Sequence, residues 1–268
     1  MPRRARCVLP GVPYHVTQRG VDRQATFSLD EDRQTYLRLL RENLSEADVR
    51  VWAWCLMGNH VHLVLLPGRE DSLSLLLRRV HGPYAQYYNT RWGRTGHLWQ
   101  NRFFSCILGI EHLWAALAYV ERNPVRAGIV DCAAEYPWSS AAAHLKGVDN
   151  TGLLDMHWWH KEGPKNWNEV LAIDQPETVQ NYANARMPVD PSERKHSLLR
   201  LARRSVALGY AQEGGSSVSV YDRCVRSVHS LLKMKRGTRK IGQIRLSRIS
   251  PDFPPDFPQR SAFLEDRW

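Results

Sequence analysis

Residues 49–67 read VRVWAWCLMGNHVHLVLLP, two apolar runs of strand length joined at Met57-Gly58-Asn59 and closed by Pro67-Gly68. The first run alternates and is rich in Val and Trp, so the stretch predicts a β-hairpin with strands Val49 to Leu56 and His60 to Leu66. Side chains on a strand point alternately to its two faces. His60 and His62 therefore share one face, while Val61, Leu63 and Leu65 point into the core. Two imidazoles so placed can share a divalent metal ion, which beside a phosphate polarises a phosphoryl oxygen. Two solvent-facing strand histidines would leave the same pattern, so the spacing alone does not decide.

Outward from the hairpin, Tyr14 to Gln18 reads as a strand entered through Gly11-Val12-Pro13. Asp30 to Ala47 reads as an amphipathic helix with Tyr36, Leu37, Leu40 and Leu44 on one side. Ser72 to Tyr88 carries an apolar stripe at Leu73, Leu76, Leu77 and Val80, capped at Asp71 or Ser72, with a kink expected at Gly82-Pro83. Phe103 to Leu108 fits a fourth strand, and Glu111 to Arg122 a helix broken near Asn123-Pro124. The order β-α-β-β-α-β-α predicts an α+β fold of the ferredoxin-like, split βαβ plan: a four-stranded antiparallel sheet with helices on one face, plus a C-terminal extension.

The chain of 268 residues has length for one domain of about 150 residues and an extension. We expect a first domain over 1–150, a poorly defined extension over 151–200 and a basic segment with a Pro-rich tail over 201–268. The formal net charge is +10 and the isoelectric point about 9.6, a balance that favours polyanionic partners such as nucleic acid. Residues 201–250 hold 11 basic and 2 acidic groups and supply most of the excess. Within them, residues 212–220 read as a linker and Lys233 to Lys240 as a basic patch, and PDFPPDFP at 251–258 reads as a non-helical tail.

Five cysteines without a CxxC pair indicate neither a disulfide framework nor a zinc ribbon, which suits a reducing cytoplasm. MPRRARCVLP lacks an apolar run after its basic residues, and no stretch reaches the ~18 apolar residues of a membrane span, so a soluble, unexported protein is expected.

Two further stretches bear chemistry. In AYVERNPVRAG, Tyr119 and Asn123 are four apart, within about 40° on one helical face and roughly 6 Å of rise. A phenol could attack phosphorus there, and an amide oxygen could complete a two-histidine metal set. Spacing alone favours Tyr119 as a packing residue and Asn123 as the cap of the turn at Pro124. In GHLWQNRF, Trp99 and Arg102 follow Arg78, Arg79, Arg91 and Arg94; arginines neutralise phosphates and exposed aromatic rings stack on unpaired bases. Core packing of Trp99 and Phe103 is the alternative.

Five ordered stretches, ARCVLPGVPYHVTQRGVDRQATF, LMGNHVHLVLLP, GHLWQNRFFS, YVERNPVRAG and EYPWSS, resemble REP-associated tyrosine transposases, relatives of the single-tyrosine HUH transposases. The resemblance covers residues 5 to about 145. It implies a ferredoxin-like HUH fold, His60 and His62 as metal ligands with Asn123 as a third, Tyr119 as nucleophile, and Mg²⁺ or Mn²⁺ as cofactor. The implied substrate is single-stranded DNA with a REP-like hairpin beside the cleavage sequence. Arg19, Arg23, Arg78, Arg79, Arg94, Trp99 and Arg102 are the candidate DNA contacts.

The expected activity is cutting and rejoining through a 5′-phosphotyrosine link, by a cytoplasmic, nucleoid-associated monomer or homodimer with no membrane partner. Tyr84, Tyr87 and Tyr88 are the competing tyrosines. The alternative is a non-catalytic protein that binds single-stranded DNA or RNA hairpins on a ferredoxin-like sheet. A phosphodiesterase that uses activated water is a third reading.

Overall fold

The computed structural model describes residues 8–173, so the linker, basic patch and tail expected beyond residue 200 lie outside the described residues. Seven elements follow the expected order: β1 (Tyr14–Arg19), α1 (Asp30–Ala47), β2 (Val49–Met57), β3 (His60–Pro67), α2 (Ser72–Arg91), β4 (Phe104–Ile107) and α3 (Ile110–Glu121). The strands form one sheet in the order β2-β3-β1-β4 with every neighbouring pair antiparallel, the ferredoxin-like arrangement.

Alternation sorts the strand residues between two cores. Tyr14, Val16, Val61, Leu63 and Leu65 meet Tyr36 and Leu40 of α1 and Leu73, Leu76, Leu77 and Val80 of α2. Trp52, Cys55, Met57, Val64 and Leu66 meet Leu113, Leu117 and Val120 of α3 on the other face. The single helical layer expected from the sequence is α1 with α2, and a second layer lies opposite. The reason is visible in β2, where every residue from Val51 to Met57 is buried and both faces need cover. A register shift between Val51 and Ala53 accompanies the turn of Trp52 into the second layer.

Helix α2 runs through Pro83 without a break. Val80, Tyr84 and Tyr88 are buried on both sides of the proline, so packing holds the helix past the missing N–H. Asp71 makes no capping bond there; Ser72 Oγ accepts from Arg69 N at 2.9 Å and donates to the Asp48 carbonyl.

Where a boundary near residue 150 was expected, the packed body continues to Leu171. Helices α4 (Asn123–Arg126), α5 (Ala141–Lys146), α6 (Met156–Glu162) and α7 (Trp167–Ala172) follow α3. The EYPWSS stretch adds to the outer edge of β2, with Leu56 N donating to the Trp138 carbonyl and Ser140 N to the Trp54 carbonyl, each at 2.9 Å. That cover removes an exposed strand edge. Trp158 then stacks on Trp52 at 3.9 Å between ring centroids and on Trp114 at 5.5 Å.

Glu121, fully buried at the end of α3, ties this layer together. Its Oε1 accepts from Ser140 Oγ and lies 2.5 Å from His144 Nδ1, while Oε2 accepts from Trp167 Nε1 at 2.9 Å. Trp158→Ala should therefore cost about 3–5 kcal/mol, the range for emptying a buried aromatic site. Urea unfolding followed by far-ultraviolet circular dichroism checks this; a loss under about 1 kcal/mol would mean that the layer is not part of the cooperative unit.

Among the described residues no helix is long and apolar enough to cross a membrane.

Candidate active site

The pairing of β1 with β3 sets Thr17 opposite His62 and Arg19 opposite His60, and that of β2 with β3 sets Cys55 and Met57 opposite the same two histidines. His60 and His62 thus project from the face covered by α3, as expected from their spacing. At the end of that face is a pocket of about 550 Å³ lined by His60, His62, Tyr119, Asn123, Arg19, Arg102, Arg126 and their neighbours. Gly20 permits the chain to leave β1 here, because a Cβ on it would stand 2.4 Å from the Gln24 carbonyl oxygen.

Each histidine is held through one ring nitrogen. His60 Nδ1 is 2.6 Å from Asn59 Oδ1, and the Asn59 amide donates to the Arg23 carbonyl at 2.9 Å. His62 Nδ1 is 2.9 Å from Nε2 of His15, a β1 residue that is 1% exposed. Nε2 of His60 and of His62 takes part in no hydrogen bond among the described residues. Burial lowers the pKa of His15 to about 4, and burial together with the Arg19 charge does the same to His60. His62 is held well below its ordinary value by burial, then by His15, His60, Arg19 and Arg126. All three rings are neutral at neutral pH, the form in which imidazole ligates metals.

Tyr119 lies one helix away, 7% exposed and lining the pocket. Its ring meets His15 edge-on at 5.9 Å and His62 at 5.7 Å, and the Arg126 guanidinium stands 4.7 Å from the ring centroid. No hydrogen bond among the described residues engages its hydroxyl. Asn123 begins α4, with Pro124 next to it in the first turn, where a missing N–H is harmless. The Asn123 amide donates to the Tyr119 carbonyl at 2.8 Å and so caps the end of α3. The same side chain keeps Oδ1 as a donor atom on the pocket wall.

Among the described residues no three His, Cys, Asp or Glu side chains are grouped to hold a metal ion. A cation would therefore rely on His60, His62 and a neutral oxygen, and Asn123 Oδ1 fits that need. Two borderline nitrogen donors and one hard oxygen form a set that could hold a divalent cation with water in the remaining positions.

Of the other sequence candidates, Arg19 and Arg102 line the pocket. Arg78 and Arg79 lie on α2, against the opposite face of the sheet, where Arg79 pairs with Glu46. Arg94 bonds Gln24 and stands 5.9 Å from the Tyr88 ring centroid. Arg23 is exposed in a turn where it and Asp22 have φ of 58° and 49°. Trp99 follows the packing alternative: its Nε1 donates to the His81 carbonyl at 3.0 Å, and its ring packs against Tyr36, His81 and Tyr84. Tyr84, Tyr87 and Tyr88 also lie on α2, with hydroxyls bonded to the Thr26 carbonyl, Asp32 and Ser28. Burial raises the Tyr84 pKa, which further disfavours it as a nucleophile.

Sequence reasoning missed His15 and Arg126. Both stand inside quoted motifs, GVPYHVTQRG and YVERNPVRAG. Strand alternation in Tyr14-His15-Val16-Thr17 was the available signal for His15, since Tyr14 and Val16 face the first core.

No curated protein matches the chain. Solved structures that resemble it include the following two. One is described as a REP-associated tyrosine transposase bound to a REP hairpin, at 19% identity and TM-score 0.46, covering 59% of this chain and 91% of that one. The other, assigned as a transposase of Deinococcus radiodurans R1, is 16% identical with TM-score 0.33, covering 45% of this chain and 97% of that one. A family model for IS200-like transposases matches residues 9–123, a span that runs from the entry to β1 through the paired histidines to Tyr119 and Asn123. By that match, the domain formed by these residues is similar to IS200-like transposases.

Proposed function

We propose that the domain is a metal-dependent endonuclease and strand transferase for single-stranded DNA, cutting next to a hairpin through a 5′-phosphotyrosine intermediate. The observation that carries this reading is the convergence of Tyr119 with His60, His62 and Asn123 in one arginine-edged pocket. Tyr119 Oη attacks the scissile phosphorus, the P–O3′ bond breaks, and a 3′-hydroxyl leaves while the 5′ side stays on the tyrosine. Attack by another 3′-hydroxyl reverses the step and rejoins DNA, with the ester bond energy conserved.

His60, His62 and Asn123 would hold Mg²⁺ or Mn²⁺, which when bound supplies Lewis-acid polarisation of the phosphate. Arg19, Arg102 and Arg126 bring positive charge to the phosphate. Packing of Tyr119 between His15, His62 and Arg126 restricts its ring and pre-orients the hydroxyl.

A non-catalytic binding module is less well served by this architecture. Such a module presents an open sheet face to bases, whereas both faces here carry helices. The test is incubation of the protein with single-stranded hairpin DNA and Mg²⁺ or Mn²⁺ under a denaturing readout. A covalent protein–DNA adduct supports the reading. Cleavage without an adduct would favour the water-activated alternative, and binding without cleavage the module.

Arg126 is exposed and meets the core at the Tyr119 ring, so its replacement should bear on the chemistry more than on folding. Arg126→Ala should slow adduct formation by about 10²-fold, the usual cost of removing one donor aimed at developing charge, with an unchanged melting temperature. Unaltered single-turnover rates would remove Arg126 from the mechanism.

A further inference from the structure

We propose that His15 is a positioning residue that accepts the Nδ1 proton of His62, thereby presenting the Nε2 lone pair of His62 to the pocket for a divalent cation; this deepens the metal-dependent reading above. The two rings are 5.2 Å apart between centroids with planes 6° from parallel, while His15 Nε2 and His62 Nδ1 are 2.9 Å apart. Nearly parallel rings that meet nitrogen to nitrogen at this separation lie edge to edge, so the hydrogen bond runs in the ring plane along the lone pair. Such a bond fixes both the rotation of His62 and the nitrogen that carries its hydrogen.

Packing alone does not account for an imidazole at position 15. His15 Nδ1 is buried without a hydrogen-bond partner, whichever tautomer is present. That is a cost which an aliphatic residue on the same strand face, beside Val64 and Cys106, would avoid. What the imidazole supplies in return is its bond to His62. With the hydrogen on His62 Nδ1, Nε2 is a lone-pair donor; with the bond reversed, the hydrogen occupies His62 Nε2 and blocks ligation. His60 is arranged in the same sense, since Asn59 Oδ1 can only accept from its Nδ1. The structure thus orients both histidines through neutral acceptors and not through carboxylates.

The experiment compares full-length wild type with His15→Gln, whose amide can offer an acceptor near the Nε2 position, and His15→Leu, which cannot. Long-range ¹H–¹⁵N correlation spectra of the metal-free protein should show His62 as the Nδ1–H tautomer in wild type and as Nε2–H in His15→Leu. Mn²⁺ affinity measured by calorimetry should fall about 10–100-fold in His15→Leu, the usual effect of removing an outer partner of a metal ligand, and only a few-fold in His15→Gln. Hairpin-DNA affinity in chelator should stay unchanged in both.

An Nε2–H tautomer in the wild type overturns the proposal, and so does equal weakening by Gln and Leu. Should His15→Leu fail to fold, the wild-type tautomer and the His15→Gln affinity decide the matter. An Nδ1–H tautomer in a protein whose Mn²⁺ binding ignores His60→Ala and His62→Ala would leave the positioning role standing and sink the metal reading instead.

Discussion

Tyr119→Phe is expected to bind hairpin DNA as the wild type does and to form no covalent adduct at any protein concentration. The substitution keeps the ring, and with it the edge contacts to His15 and His62 and the guanidinium of Arg126. It removes a hydroxyl that holds no hydrogen bond among the described residues, so stability should change by less than about 1 kcal/mol. A packing role for Tyr119 predicts a small effect on the reaction, and a nucleophilic role predicts complete loss of the linkage.

Tyr84→Phe, Tyr87→Phe and Tyr88→Phe supply the contrast. Tyr84→Phe should destabilise the fold by about 1–2 kcal/mol, because its buried hydroxyl donates to the Thr26 carbonyl, yet all three variants should still form the adduct. Denaturing electrophoresis and mass mapping of the tryptic peptides measure this. A nucleotide mass on any of the three α2 tyrosines, or an active Tyr119→Phe protein, would overturn the assignment.

His60→Ala and His62→Ala should each depress cleavage by at least about 10²–10³-fold, while hairpin affinity in chelator stays within a few-fold. The separation follows from where the charges are: affinity for DNA rests on cationic side chains, and the two imidazoles are neutral. The two variants should differ in stability. His60 is partly exposed at the start of β3, whereas His62 is buried and its loss also strips His15 of its partner. Thermal melting therefore accompanies the rates, so that a folding defect in His62→Ala is not counted as chemistry. Undiminished nicking by wild type in excess chelator would end the metal reading.

The hairpin at residues 49–67 was legible because it combines two long periodic runs with a turn, and α1 because eighteen residues show several repeats of the helical stripe. His60 and His62 came forward because their spacing has a geometric meaning within one strand, and Tyr119 because YVERNPVRAG carries the family resemblance. His15 did not, because its partner is forty-seven residues away and the bond exists through strand pairing alone. The second helical layer was illegible for a different reason. α5, α6 and α7 have six, seven and six residues, under two turns each, so no period can develop, and their burial is carried by Trp158, Trp159 and Trp167. Trp99 shows the converse: an aromatic residue beside arginines suggested stacking on bases, and the cluster of Tyr36, His81 and Tyr84 claims it for the interior.

The register of β3 has an evolutionary consequence. Along this strand the odd positions Val61, Leu63 and Leu65 fill one core and the even positions His60 and His62 line the pocket. An insertion or deletion of one residue between Asn59 and His62 would exchange the two sets, burying imidazoles beneath α1 and α2 and offering valine and leucine to the pocket. A one-residue change of this kind is thus penalised twice over, by misfolding and by loss of ligands.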